Sequence, residues 1–70
     1  MQETLKELGY ELIKAGNYWW RFKAKGKECI ICETQWGRFG SALYTLKIEG
    51  KTIMTGGKLD TCLRKIASMI

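Results

Sequence analysis

The sequence predicts an α+β fold: an antiparallel sheet of four or five strands, a short N-terminal helix at one edge, and a C-terminal amphipathic helix packed on one face. Three observations predict it. Residues 18–25 divide by period two into an apolar face and a face of one indole and three cations, as a strand buried on one face does. Glycine-bearing turn signals separate several such runs at hairpin spacing. Residues 58–70 carry Leu59, Cys62, Leu63, Ile66, Met69 and Ile70 at helical period, one apolar stripe on one face.

Residues 2–8 read as a short helix with Leu5 and Leu8 inward and Glu3 in the first turn, where the helix dipole favours an acid. Gly9 supplies the left-handed stop. Residues 10–15 form a short strand, and Gly16-Asn17 turns the chain into the aromatic strand. There, Tyr18, Trp20, Phe22 and Ala24 share the core face, and Trp19, Arg21, Lys23 and Lys25 share the other. Gly26-Lys27 suits a type II′ turn, which sets Lys25 against Glu28 and Phe22 against Ile31. Strand three covers 28–35 and residues 36–40 form a loop. Strand four covers 41–49, with Tyr44, Leu46 and Ile48 inward and Lys47 and Glu49 outward. A turn at 49–51 leads to a short fifth strand with Ile53 inward. Gly56-Gly57 ends it, and Asp60 in the final helix is placed to pair with Arg64 one turn on.

Seventy residues make one domain, whose core supplies only about 3–5 kcal/mol. The net charge is +5, and it is uneven: residues 13–27 hold Lys14, Arg21, Lys23, Lys25 and Lys27 and no acid. Such a field favours phosphates or acidic partners. The three cysteines are an odd number, and Lys6 and Glu7 interrupt the first apolar run, so the expectation is a cytoplasmic protein with reduced thiols. No apolar run approaches the roughly 20 residues that span a bilayer.

Two groups of residues are candidate binding sites for nucleic acid or a partner protein. One is the outward row Trp19, Arg21, Lys23 and Lys25. Lysines there argue against cover by a helix, because buried unpaired cations are costly. The structural alternative is that Lys and Arg stems lie over the Trp19 ring merely to shield it. The other is the Trp36-Gly37-Arg38-Phe39-Gly40 loop. Tryptophan and arginine are enriched at interface hot spots, and aromatics stack on unpaired bases. A chain this small also needs its large apolar groups, so Trp36 or Phe39 capping the core is the competing reading.

Cys29-Ile30-Ile31-Cys32 has the spacing of a zinc or redox motif, but a strand sends its two thiols to opposite faces, and the chain has no histidine. No metal and no cofactor is expected. Gly50-Lys51-Thr52 matches only the end of a phosphate-binding loop, with Thr45 where the first glycine belongs. Glu11, Glu28, Glu33, Glu49 and Asp60 form no paired-carboxylate pattern, so a non-catalytic protein is expected.

The run from Leu5 to Phe22 resembles the opening of HicA-type toxins: a helix, a glycine-aromatic pair, a strand, a turn and a second strand. Gly57 through Ile66 is similar to their final helix. The resemblance implies a double-stranded-RNA-binding-like fold and contact with RNA or a partner. The family's catalytic histidine falls at about Tyr18, so it implies binding without that family's cleavage chemistry, and this chain has an extra hairpin in the middle. Three readings follow. The first is a nucleic-acid-binding module. The second is a phage- or mobile-element-type inhibitor, such as an anti-CRISPR protein, that binds an acidic host protein through Trp and Arg anchors. The third is a homodimer built on the Trp19 face.

Overall fold

The structure, a computed structural model, describes residues 2–36 and 42–69, with side chains throughout these ranges except at residues 34–36. The order is α1 (Gln2–Glu7), β1 (Glu11–Ala15), β2 (Trp19–Ala24), β3 (Lys27–Trp36), β4 (Ala42–Ile48), β5 (Lys51–Gly57) and α2 (Leu59–Met69). The five strands form one open antiparallel sheet in sequence order, β1-β2-β3-β4-β5. The expected α+β class and helix order are what the chain adopts, and the fifth strand forms.

Both helices lie on the same side of the sheet. The strands contribute Phe22, Ala24, Cys29, Ile31, Leu46 and Ile48 to the core, and the helices cover them with Leu5, Cys62 and Ile66. Each large side chain among these contributes about 1.5–3 kcal/mol by leaving water. Ile53, Leu59 and Leu63 pack at the margin of this cluster. The Asp60–Arg64 pair forms one turn apart at 3.0 Å, on a solvent-facing side of α2.

The end of α1 shows how the sequence enforces the fold. Gly9 has φ +81°. The Tyr10 amide donates to the Leu5 carbonyl and the Gly9 amide to the Lys6 carbonyl, both at 3.0 Å. These are the paired bonds of a Schellman cap, and the capping residue Tyr10 packs against the same core as Leu5. The Tyr10 ring stacks on Phe22 with centroids 5.7 Å apart. The cap therefore locks α1 onto the sheet as well as ending it.

Two inward assignments are corrected, and one residue of the predicted α2 stripe is exposed. Leu8 follows the last residue of α1 and is 48% exposed. Tyr18 is 57% exposed because β2 begins at Trp19, so the bend at residues 17–18 carries its ring out of the sheet's alternation. Trp20 takes the inward place at that end of the sheet. Met69 lies nearly a turn beyond Ile66, the last buried residue of α2, and is also exposed. Ile70, the last member of the predicted stripe, lies outside the described residues.

The first hairpin is corrected as well. Its turn is Lys25-Gly26, with φ +51° and +83°, and Ala24 pairs with Lys27. Two positive φ values define the type I′ geometry, whose twist matches a hairpin. Phe22 therefore faces Cys29 and Trp20 faces Ile31. The partners slide by two residues from the expected register, so every side chain keeps its face. Glu49-Gly50 repeats the device, with φ +50° and +82°. Lys25 holds a left-handed conformation that asparagine tolerates better. Lys25→Asn is expected to stabilise the domain by about 0.5–1 kcal/mol, read from the urea midpoint.

The uncovered sheet face as candidate binding surface

With both helices on one side, the other side of the sheet is left without cover among the described residues. The pairing register identifies what stands on it. Arg21 of β2 is flanked by Ile30 of β3, which is flanked in turn by Lys47 of β4, with Lys14 of β1 on the other side of Arg21. One row along, Trp19 faces Cys32. In the opposite direction Lys23 sits between Glu11 and Glu28.

The predicted residues Trp19, Arg21 and Lys23 are thus brought together on the uncovered face. Lys25 is not part of their row, because it forms the first turn position. Trp36 ends β3, its side chain lying outside the description. Arg38 and Phe39 lie outside the described residues.

Trp19 is half-buried, and its cover comes from the backbone. A Cβ added to Gly16 would overlap the Trp19 indole, so the ring lies directly against the Gly16 Cα. The Gly16 amide also donates to the Trp19 carbonyl at 2.9 Å, which closes the turn beneath the ring. Glycine is required at position 16 for space, which the turn signal in the sequence does not reveal. Gly16→Ala is expected to displace the indole and destabilise the domain by about 1–3 kcal/mol, with a red shift in tryptophan emission.

The cationic row is partly compensated. The Arg21 Nη2 stands 2.9 Å from both oxygens of Glu28. This hydrogen bond holds the Glu28 carboxyl below the usual range, and Lys23 adds attraction. The pair persists at ordinary pH and is lost only as acid protonates Glu28 through that depressed value. Sequence reasoning missed this pairing because the assumed turn placed Glu28 against Lys25. The Lys25-Gly26 dipeptide, glycine second, was the signal for the correct register.

The thiols divide between the faces as the strand reading requires. Cys29 and Cys62 are in the core, where burial pushes their ionisation up, and Cys32 is half-buried on the uncovered face. Cys32 is expected to be the first thiol alkylated by iodoacetamide, with Cys29 and Cys62 reacting only as the fold opens, a sequence that peptide mass mapping reads directly. Among the described residues, no three Cys, Asp or Glu side chains converge to hold a metal ion, and no helix is long and apolar enough to cross a membrane. Comparison of the chain with protein-family models, with curated proteins and with solved structures finds no match to any of them.

Proposed function

We propose that this chain is a non-catalytic binding module that contacts nucleic acid through its uncovered sheet face. The observation that carries this reading is the placement of Trp19, Arg21, Lys23 and Lys47 on the one face that the helices leave open. The open sheet face offers cations for phosphates and one anchored indole for a base, an arrangement suited to an unpaired strand. The test is fluorescence anisotropy with single- and double-stranded RNA and DNA across a salt series. Three phosphate contacts give a log–log slope of roughly −2 to −3. Arg21→Ala/Lys23→Ala should abolish most of the binding, and full retention of affinity by that variant sinks the proposal.

A second reading is favoured by the half-buried Ile30, flanked by Arg21 and Lys47, and by the half-buried Cys32 beside Trp19. Apolar centres rimmed by charge suit a protein partner, so the chain would act as a phage- or mobile-element-type inhibitor, of which anti-CRISPR proteins are one kind. Affinity purification after nuclease treatment separates the two. A partner protein that survives nuclease supports the inhibitor, and loss of every partner supports the nucleic-acid module.

A further inference from the structure

An open sheet has two edges, and the two differ here. The β5 edge is broken by two register irregularities against β4 and ends in Gly56-Gly57. Glycine-rich strand ends pair poorly with another strand, and β1 has one shift where β5 meets two and carries no glycine. The β1 edge is richer in exposed apolar groups: Leu12 is 37% and Ile13 44% exposed, with Leu8 close by in the chain. Beside it runs an open groove of about 390 Å³ between α1 and β1, to which Leu12 and Tyr10 contribute. Exposed apolar side chains on the outermost strand of a sheet mark a surface that meets a partner.

The charges on β1 say which partner fits. Glu11 and Lys14 stand on the same face of the sheet, because Glu11 pairs with Lys23 and Lys14 with Arg21. The shift at Ile13 puts them there despite their odd spacing. An antiparallel copy of β1 laid against this edge about a two-fold axis sets each Glu11 opposite the other copy's Lys14. Leu12 then meets the other copy's Ile13 at the centre. The strand is its own electrostatic complement, as an isologous contact requires.

We propose that two copies of this chain pair through β1, antiparallel, with two Glu11–Lys14 cross-strand pairs closing around a Leu12–Ile13 centre. The two sheets become continuous and their uncovered faces adjoin, which lengthens the surface available to an extended ligand. This association does not depend on what that face binds.

Sedimentation velocity over a wide concentration range tests it, with circular dichroism to confirm folding. The wild type should show a concentration-dependent dimer. Glu11→Lys alone and Lys14→Glu alone each set like charges opposite one another twice, and each should weaken the dimer roughly tenfold or more. In an equimolar mixture of the two variants, the E11K chain presents two lysines and the K14E chain two glutamates. A mixed dimer therefore has attraction at both cross-strand positions. Recovery of dimer in that mixture supports the proposal and shows that both variants are folded. A wild type that stays monomeric at every concentration overturns it. So does a dimer indifferent to either substitution, which would place the contact elsewhere.

Discussion

Phe22→Ala is expected to leave the domain largely unfolded at room temperature. Phe22 is fully buried at the middle of β2 and carries the stacked Tyr10 ring. Truncating a buried phenylalanine costs about 3–5 kcal/mol. A domain of this size has a total stability of the same order, about 3–5 kcal/mol from its core. The stacking contact adds about 0.5–1.5 kcal/mol to the loss. It also loosens the Tyr10 cap, so α1 should detach first. Met69→Ala is the matched control: its side chain is 48% exposed, and its removal should change stability by no more than about 0.5 kcal/mol. Urea unfolding followed by far-UV circular dichroism checks both. A cooperative Phe22→Ala transition within about 1 kcal/mol of wild type would show that the core is centred elsewhere.

The layers were legible because burial writes a period into the chain. Phe22, Ala24, Leu46 and Ile48 could be placed by alternation alone, and Cys62 and Ile66 by helical spacing. Alternation reports faces and is blind to register, since a slide of two residues leaves it unchanged. That is why the core face was right while Glu28 was assigned the wrong partner. Element ends were also poorly marked. Tyr18 extends the alternating pattern of β2 by one step, yet the bend before Trp19 turns it to solvent. The contact of Trp19 with Gly16 leaves no pattern at all: a glycine needed for space and a glycine needed for a turn read alike. For the candidate site, the outward residues of β2 were readable from alternation, and the cross-strand neighbours that modify their charge came only with the register.

Those neighbours lead to the sharpest expectation for function. Glu28→Gln should tighten nucleic-acid binding. Glu28 is the carboxylate closest to Arg21, at 2.9 Å, and it also attracts Lys23. While it is charged, phosphates must compete with it for the same guanidinium and are repelled by it. Glutamine keeps the length and an acceptor oxygen but removes the charge, so Arg21 is released without a gap in the β3 surface. Removing one anionic charge at such a distance, in surroundings close to water, is worth roughly three- to tenfold in affinity at low salt. The freed Arg21 should also steepen the log–log salt slope by about one. The pair is solvent-exposed, so the substitution should barely alter the urea midpoint. Arg21→Ala acts in the opposite sense, because it removes a cation and leaves Glu28 with only Lys23 beside it on the binding face. The two substitutions break the same ion pair, and a purely structural role for it would make them behave alike. Opposite shifts in affinity at equal stability place the phosphate path across Arg21. An unchanged or weaker Kd for Glu28→Gln would remove Arg21 from that path and with it the reading of this face as a nucleic-acid surface.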